Sequence, residues 1–384
     1  MKIAIIHHSL NIPGGAERLC LSAIEALRKA RHEVTLITVE KTDWSIVERS
    51  FGKVTQPDNE SYLTRLRFSK NLPNALAACA YFTAHVYQLL SNKSRKKYDL
   101  LINTFGDVIN SVADITYVHF PLRAAVEFSQ VPAFFSNSIW RAAAPLYDAV
   151  LSCLDRIPSG KLLTNSKFMR NIIVKVLHRE PLVVYPPVEV ADFKSRCFRS
   201  KKSGCTVVTI SSFTPKRHID QIPYIAKHSR FAKFIVMGKA DEYSLPTLEK
   251  MQDLIRTLHV ENRVKLLTNV PFNVFQETLS QAKIYLHVMP YDHFGISVVE
   301  GMASGCVPVV HRSGGPWLDI LDAQQNEYGF SYTSPEEAAD IIDILVTDEN
   351  LRSEVASKAL NRAKRFDQSV FKEKIVEVVE DFGS

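Results

Sequence analysis

Two carboxylates that lie eight residues apart carry the strongest chemical signal in the chain. Asp292 and Glu300 belong to the segment YDHFGISVVEGMASG at 291–305. We predict that a strand ends before this segment, that Gly295 turns the chain, and that a helix begins near Ser297. The backbone N–H groups of such a helix start suit a diphosphate, and each carboxylate can accept hydrogen bonds from two vicinal hydroxyls of a sugar or ribose. Acidic residues also occur near helix starts for dipole reasons alone, so the pair by itself is a weak signal.

A glycine pair follows the first apolar run, in the turn NIPGG at 11–15. Taken alone, Gly14 and Gly15 are more typical of a tight turn, but their position after a predicted strand favours a ligand-contacting loop. The segment lacks the G-x-G-x-x-G spacing of dinucleotide-binding loops, which argues against a nicotinamide cofactor. The preceding His7 and His8 are as consistent with a structural role as with a functional one.

Other polar residues also follow predicted strands. His119 lies between a strand-like run and Pro121, and this position favours function, although an isolated histidine is more often a satisfied core or loop residue. Lys216 and Arg217 lie in SSFTPKRH at 211–218, directly after another strand-like run. They could bind an anion or belong to a solvated loop.

These positions form sites only if the runs before them are parallel strands. The first series of apolar runs comprises 2–7, 33–39, 100–103, 115–118 and 161–164, and the second comprises 206–210, 234–238, 264–267, 284–287 and 307–310. Helical patterns separate the runs, and βαβ units imply parallel sheets with helices on both faces. In such sheets ligands bind at the carboxyl ends of the strands, which is where the candidate residues lie.

We therefore predict an α/β protein with two Rossmann-like, doubly wound domains. The first comprises 1–187 and the second 188–366, and a terminal helix at 367–384 is expected to pack back on the first. The prolines of YPPV at 185–188 interrupt regular structure and predict a hinge near 187–203.

Length and composition are typical of a globular protein and argue against a membrane-spanning or disulfide-rich one. The chain has 384 residues, of which 46% are hydrophobic and 23% charged, as is typical of a globular protein with two domains. We expect no signal peptide and no spanning helix, because no apolar run reaches about 18 residues. The six cysteines are scattered without a C-x-x-C pair, which is typical of reduced thiols.

The positive charge is concentrated in the first half of the chain. Residues 1–187 carry 23 basic and 15 acidic residues, against 24 and 26 in 188–384, so an anionic partner is expected to meet the first domain. Segment 61–98 contains basic residues and no acidic one: Arg65, Arg67, Lys70, Lys93, Arg95, Lys96 and Lys97. Its larger apolar residues include Leu76, Tyr81, Phe82, Tyr87 and Leu89. The segment is consistent with a membrane-surface element or an ordinary amphipathic helix, whereas no recognition motif supports nucleic-acid binding.

The segment at 291–305 resembles the E-x7-E signature of the retaining family 4 glycosyltransferases of GT-B fold, with Asp292 in place of the first glutamate. The resemblance covers nearly the whole chain and includes GGAE at 14–17, NS at 165–166, YPPV at 185–188, Gly238 and SGGP at 313–316. Within the family, the most similar branch is the α-1,2-mannosyltransferases that extend a lipid-linked oligosaccharide with GDP-mannose on the cytosolic face of a membrane. Three segments carry that similarity: DITYVHFP at 114–121, HFGI at 293–296 and GGPWLDI at 314–320.

The resemblance implies roles for individual residues. Glu300 would bind the donor ribose, Asp292 would lie at the donor sugar, and His119 would hydrogen-bond that sugar at the reacting centre. Gly15 would contact the donor phosphate when the domains close. The full set implied in donor binding, besides the catalytic three, is Gly14, Gly15, Ser212, Lys216, Arg217, Gly238, His293, Phe294, Gly295, Ile296 and Ser297.

The chain departs from the family at the cations that clamp the diphosphate. Many members carry G-R-L-x-x-x-K, whereas here the arginine position falls on Ser212 and the lysine position on Arg217 or, with a one-residue slip, on Lys216. A leaving diphosphate without a metal needs positive charge or oriented dipoles. We predict no essential divalent metal, because no D-x-D or histidine–carboxylate cluster has a suitable spacing, and no cofactor beyond the nucleotide-sugar substrate.

The resemblance thus implies a retaining hexosyltransferase whose domains face each other across a cleft. The second domain would hold the donor, expected to be GDP-mannose, and the first would admit a lipid-linked glycan. The protein would be cytoplasmic and peripheral on the cytosolic membrane face, through its basic first domain. Phe120, Phe128, Phe134 and Phe135 are candidates for an apolar acceptor path.

Two alternatives stay open from the sequence. One keeps the fold but uses a UDP-sugar and a soluble acceptor, which a donor panel and vesicle binding would distinguish. The other is a catalytically silent GT-B subunit that binds a partner, since Ser212 and Asp292 replace family residues. A silent subunit would release no nucleotide from a donor.

Overall fold

The computed structural model describes residues 1–66, 74–95, 97–107, 109–121, 124, 160–197 and 204–383. The chain divides into two compact units: unit 1 comprises Met1–Pro187 with Gln368–Ser384, and unit 2 comprises Val188–Asp367. Several residues named above lie outside the described residues or have side chains outside them: Arg67, Lys70, Leu76, Phe82, Lys93, Arg95, Lys96, Phe128, Phe134 and Phe135.

Unit 1 contains a seven-stranded parallel sheet in the order β3-β2-β1-β4-β5-β6-β7. Its strands are β1 Lys2–Ile6, β2 Glu33–Glu40, β3 Asn59–Thr64, β4 Leu100–Asn103, β5 Ile115–Val118, β6 Lys161–Thr164 and β7 Leu182–Val183. The central strand β1 is almost wholly buried, as expected for a parallel strand covered on both faces.

The helices between the strands of this sheet are α1 Gly15–Lys29, α2 Trp44–Phe51, α3 Asn74–Arg95 and α4 Lys167–Leu177. Side chains cap the starts of two of these helices. The carboxylate of Asp43 accepts from Ser45 N at the start of α2, and the hydroxyl of Ser166 accepts from Met169 N at the start of α4.

Unit 2 contains a six-stranded parallel sheet in the order β10-β9-β8-β11-β12-β13. Its strands are β8 Thr206–Ile210, β9 Lys233–Gly238, β10 Val264–Thr268, β11 Ile284–His287, β12 Val307–His311 and β13 Phe330–Tyr332. Its helices are α5 Val190–Cys197, α6 Ile222–His228, α7 Leu245–Thr257, α8 Phe272–Gln281, α9 Ile296–Ala303, α10 Pro335–Thr347 and α11 Glu349–Ala363.

The last helix, α12 (Gln368–Gly383), returns to unit 1. Phe371, Ile375 and Val379 share one buried cluster with Leu19 and Ile24 of α1. An ion pair between Lys372 Nζ and Glu25 Oε2, 2.9 Å apart, borders the same contact. The apolar stripe of α12 thus completes the core of the unit that contains the start of the chain.

The two parallel α/β sheets confirm the predicted fold class. Strands β3, β7 and β13 were not predicted from the sequence. In β3 half-buried and exposed positions alternate, so it lacks the continuous apolar run of a central strand. Strands β7 and β13 are only two and three residues long. The helix predicted near Ser297 begins at Ile296.

Each sheet has a switch point, where connections leave in opposite directions from two adjacent strands. The point lies between β1 and β4 in unit 1 and between β8 and β11 in unit 2. Crevices at the carboxyl ends of such strands are the usual ligand sites of doubly wound sheets. The segments after β1, β4, β8 and β11 are therefore the places to look for function.

The basic segment 61–98 is less like a membrane surface than its composition indicates. Within the described residues, Leu89 is buried in the core, and the hydroxyl of Tyr81 donates to Glu40 Oε2 at 2.8 Å. Tyr87 and Leu66 are exposed. Among the described residues, no helix is long and apolar enough to cross a membrane.

Candidate functional site

The loop after β11 places Asp292 at the switch point of unit 2. The strand ends at His287, and Gly295 then adopts φ +93° directly before α9. This backbone conformation is in the left-handed region that favours glycine. Among the described residues no side chain caps α9. Val298 N donates to Gly295 O at 3.0 Å, which leaves the N–H groups of Ile296 and Ser297 for solvent or a ligand.

Two glycines of the loop after β12, Gly314 and Gly315, contact the backbone of Asp292. Gly315 N donates to Asp292 O at 2.8 Å. A Cβ on Gly314, which has φ +72°, would lie 2.5 Å from the same carbonyl oxygen. Tyr291 N donates to Ser313 Oγ at 2.8 Å, and this hydroxyl also contacts His311 Nδ1 at 2.7 Å. The segment 313–315 therefore fixes the backbone of the loop that presents Asp292.

The carboxylate of Asp292 is held by positive or polar groups. His287 Nε2 lies 2.9 Å from Asp292 Oδ2, and Arg217 Nη1 lies 3.8 Å from the same oxygen. Burial by itself raises the pKa of Asp292, but the hydrogen bond and charge of His287, followed by the charges of Arg217 and His293, outweigh it and hold the pKa well below its usual range. Asp292 is therefore an ionised acceptor whose side chain is still 16% exposed.

Glu300 lies one turn into α9 and is 6% exposed. Its neighbour Gly301 lets the helix lie directly on β11, since a Cβ there would come within 2.6 Å of the Tyr285 ring. Burial raises the pKa of Tyr285, and Ser297 provides a side-chain hydrogen bond to its phenol. The close contact with β11 thus fixes the distance of α9 from the sheet, and with it the position of Glu300 relative to Asp292.

The cations predicted for the diphosphate lie on a 3-10 turn, Pro215–Arg217, that follows β8. Arg217 turns towards Asp292, donates from Nη1 to Met289 Sδ at 3.1 Å, and has no hydrogen-bond partner for Nε among the described residues. Lys216 is exposed, and partial desolvation followed by the charge of Arg217 lowers its pKa. Ser212 Oγ lies 3.4 Å from Thr214 Oγ1, within the same turn region.

Two residues implied in donor binding also have packing roles. Gly238 is the last residue of β9 and lies beside the residues that follow the parallel strand β8. A Cβ on Gly238 would come within 1.7 Å of Ser211 O. Phe294 is buried, with its ring 5.4 Å from that of Phe366. Close packing accounts for the glycine at 238 and for the buried ring of Phe294, and the donor-binding role implied for both residues stays a prediction. His293 and Ile296 are half-buried beside the start of α9.

The switch point of unit 1 is rich in histidine. Gly14 precedes α1 and Gly15 is its first residue, so the glycine pair forms the helix start. His7 Nε2 lies 3.5 Å from Glu17 Oε1, and His8 Nε2 lies 3.9 Å from the same oxygen. Burial, followed by the charge of His119, lowers the pKa of His7 to about 3. The imidazole of His7 is therefore neutral at physiological pH.

This grouping corrects the spacing argument of the sequence analysis. No histidine–carboxylate cluster was expected, yet ligand atoms of His7, His8 and Glu17 lie within 4.8 Å of one another. The nine residues between His7 and Glu17 form a loop and the start of α1, which brings the carboxylate back over the end of β1.

His119 belongs to the same unit and follows β5. Its ring Nε2 contacts Thr104 O at 3.2 Å, and its backbone N donates to Asp107 Oδ1 at 2.6 Å. Phe120 N donates to the same carboxylate oxygen at 2.9 Å. Asp107 therefore fixes the turn that presents His119. Because Gly14, Gly15 and His119 belong to unit 1 and Asp292 and Glu300 to unit 2, the predicted site residues form two groups.

Comparison with known proteins gives this arrangement a context. Residues 194–362 match the family model described as glycosyl transferases group 1. The chain is 32% identical over 431 residues to the GDP-Man:Man(3)GlcNAc(2)-PP-Dol alpha-1,2-mannosyltransferase of Mus musculus, with 96% of this chain and 84% of that protein covered. The chain belongs to this family of mannosyltransferases. The Homo sapiens protein of the same name is 26% identical over 434 residues, with 99% and 87% covered.

Solved structures agree on the fold of this glycosyltransferase. The crystal structure of Anabaena Alr3699/HepE in complex with UDP matches with a TM-score of 0.74 at 19% identity, covering 99% of this chain and all of that chain. The likeness confirms the GT-B fold implied by the signature segment.

In this mannosyltransferase family member, the sequence analysis found the carboxylates and the cations but missed their supports. His287 was not predicted as a site residue, although its Nε2 lies within hydrogen-bond distance of Asp292 Oδ2, at 2.9 Å. The signal that could have found it is its position as the last residue of a predicted strand at the carboxyl edge of the sheet. Gly314 and Gly315 were recognised only as a turn.

Proposed function

We propose that this glycosyltransferase moves mannose from GDP-mannose onto a lipid-linked glycan, forming an α-1,2 linkage with retention. The observation that carries the proposal is the grouping of Asp292, Arg217 and the start of α9 at the switch point of unit 2. The full-length similarity to relatives that are named for this reaction supports the choice of donor and acceptor.

The donor would lie against unit 2. The uncapped start of α9 and the guanidinium of Arg217 supply oriented dipoles and a positive charge, which are what a leaving diphosphate needs. Glu300 would accept hydrogen bonds from the ribose hydroxyls. Asp292, ionised and partly exposed, would accept from hydroxyls of the mannose.

Of the two cations, we assign the diphosphate to Arg217. Its guanidinium lies beside Asp292 and keeps a donor group without a partner among the described residues, whereas Lys216 lies on the exposed side of the same turn. A planar guanidinium can also bind two phosphate oxygens at once. This charge, together with the dipole of α9, would carry the departing diphosphate without a metal in unit 2.

His287 would act as a positioning residue for Asp292. It is buried at the end of β11, and Tyr332 OH donates to its backbone carbonyl at 3.1 Å. Its Nε2 contact then fixes one oxygen of a carboxylate that is one methylene shorter than the glutamate of the family signature. The shorter reach makes such orientation more important, because a displacement of about 1 Å can cost 100-fold in rate.

Unit 1 would receive the acceptor. His119 is presented by a turn that Asp107 fixes, and its ring is half-buried beside Tyr117. We propose that its imidazole hydrogen-bonds the donor sugar at the reacting centre. The nucleophile would be an acceptor hydroxyl on the same face as the departing phosphate, which gives retention.

The experiment is thermal stabilisation with GDP, UDP, ADP and their sugar conjugates, followed by transfer of labelled mannose to a lipid-linked acceptor. A ligand that binds the folded state raises the apparent melting temperature by mass action. A shift with GDP and GDP-mannose that is lost in Glu300→Ala supports the proposal. A shift with UDP alone overturns the donor, and no shift with any nucleotide favours a silent subunit.

Membrane association is a separate part of the proposal. A lipid-linked acceptor lies at a membrane, and the exposed Leu63, Arg65 and Leu66 at the end of β3 are described residues of the basic segment. Charge reversal at Arg65, Arg67, Lys93 and Lys96 should reduce sedimentation with anionic vesicles. Unchanged sedimentation would contradict a membrane contact through this segment.

A further inference from the structure

Three side chains of unit 1 present metal-ligand atoms to a common point. His7 and His8 follow β1, and Glu17 lies in the first turn of α1. The carboxylate oxygen Glu17 Oε1 lies 3.5 Å from His7 Nε2 and 3.9 Å from His8 Nε2, and all three groups fall within 4.8 Å of one another. In a tetrahedral zinc site with bonds of about 2.0 Å, neighbouring ligand atoms are about 3.3 Å apart. Small side-chain adjustments separate the two geometries.

One tautomer of His7, with its proton on Nδ1, suits a cation at this point. The hydroxyl of Thr104 donates to Ile6 O at 3.2 Å and can therefore accept from His7 Nδ1, which lies 3.0 Å away. With its proton on Nδ1, His7 directs the lone pair of Nε2 towards Glu17. In that tautomer, a cation between the two groups would accept a lone pair from each of them.

The hydrogen bond from Nδ1 is also the contact that metal-bound histidines usually make. Such residues commonly donate their second ring nitrogen to a carbonyl, carboxylate or water, which fixes the ring for the metal. Here the hydroxyl of Thr104 takes that part and is itself fixed by β1.

The backbone leaves space for the carboxylate. A Cβ on Gly14 would lie 2.8 Å from Glu17 Oε2, so a side chain there would compete with the folded-back glutamate. The first glycine of the pair thus has a local reason to be glycine. It allows the third ligand to reach the end of β1.

We propose that His7, His8 and Glu17 form a binding site for a divalent transition metal of the zinc class, with one coordination position left for water or another ligand. Imidazole nitrogens with one carboxylate suit Zn²⁺ and Co²⁺, whereas Mg²⁺ and Ca²⁺ prefer sets made only of oxygen. Because the ligands join β1 to α1, the bound ion stabilises the loop that contains Gly14 and Gly15. The site is independent of the donor site proposed in unit 2.

The test uses the full chain after treatment with a chelator. Co²⁺ is titrated while the visible absorption of tetrahedral Co²⁺ is followed, Zn²⁺ affinity is measured by competition with a chromophoric chelator, and Mg²⁺ serves as the comparison ion. The variants are Glu17→Gln, which keeps the size of the side chain, and His8→Gln, whose position is 16% exposed. His228→Gln, at an exposed histidine of α6, is the matched control.

We expect one equivalent of Zn²⁺ or Co²⁺, tetrahedral absorption with Co²⁺, and a rise in melting temperature with Zn²⁺ but not with Mg²⁺. Each ligand variant should bind at least about tenfold more weakly, and the control should bind like the parent chain. Circular dichroism and GDP-induced stabilisation report whether each variant is folded. Substoichiometric binding by the folded parent, or equal affinity in a folded ligand variant and the control, would overturn the proposal.

Discussion

The two switch points occupy the same topological position in their sheets but have opposite electrostatics. In unit 1, His7 and His85 are buried, and desolvation lowers their pKa values to about 3 and about 4. In unit 2, Asp292 is ionised beside His287 and Arg217, and its side chain remains partly exposed. One crevice presents neutral imidazoles and the other presents fixed charge.

This difference assigns different ligands to similar architecture. A diphosphate needs positive charge and open N–H groups, which unit 2 offers around Arg217 and α9. At the corresponding edge of unit 1, His7 and His85 are buried, and burial lowers their pKa values, so these imidazoles offer an anion no positive charge at neutral pH. We therefore expect substitutions at the switch point of unit 2 to weaken nucleotide binding. Substitutions of equally buried residues at the switch point of unit 1 should not.

The largest effect is expected for Glu300→Gln. The amide keeps the shape but loses the charge that accepts ribose hydroxyls, and hydrogen bonds to charged groups contribute about 1.5–3 kcal/mol. Affinity for GDP should fall roughly 10- to 100-fold by calorimetry. Glu17→Gln is the matched control, since both glutamates are 6% exposed. Equal losses in the two variants would break the comparison between the units.

The second effect separates the adjacent cations. Arg217→Ala should weaken GDP-mannose binding about tenfold, because it removes a charge-assisted contact to the diphosphate. Lys216→Ala should change affinity less than about threefold, as expected for an exposed charge. Arg217→Lys should restore part of the loss. A larger effect at Lys216 would show that the family lysine position slips by one residue here.

Particular residues show what could be predicted from the sequence. Buried parallel strands are continuous apolar runs, so the central strands and the carboxyl edge that carries Asp292 and Glu300 could be located. The contact between His287 and Asp292 could not be predicted, because it depends on how the loop at 288–295 folds. The approach of Glu17 to His7 likewise depends on the first turn of α1, so a search by spacing alone excluded a cluster that the structure contains.

A smaller effect should follow from the glycines that support Asp292. Gly314→Ala places a methyl group 2.5 Å from Asp292 O at φ +72°. The loop must shift, and we expect a loss of about 1–3 kcal/mol in stability together with weaker GDP-mannose binding. Gly204→Ala is the control, because Gly204 has φ +62° and no atom within 4 Å of the added Cβ. Equal donor affinity in the two variants would show that the position of Asp292 does not depend on Gly314.

The smallest effect at neutral pH concerns His85 of α3. It is buried, neither of its ring nitrogens has a hydrogen bond of good geometry to another described residue, and Asn103 offers only a weaker polar interaction. His85→Leu replaces this imidazole with an apolar side chain of similar size. Because an unsatisfied buried polar group costs about 1–3 kcal/mol, the variant should be slightly more stable in urea at pH 7.5.

The same variant tests the electrostatic half of the comparison at acidic pH. Burial, followed by the charge of His7, lowers the pKa of His85 to about 4, whereas in the unfolded chain it is about 6.5. Between these values the unfolded chain binds the proton and the folded chain does not. The parent protein therefore loses up to about 1.4 kcal/mol per pH unit from this group as pH falls through the window. In the presence of a chelator, the advantage of His85→Leu should grow from pH 6.5 to pH 4. An advantage independent of pH would mean that His85 is not kept neutral by the fold.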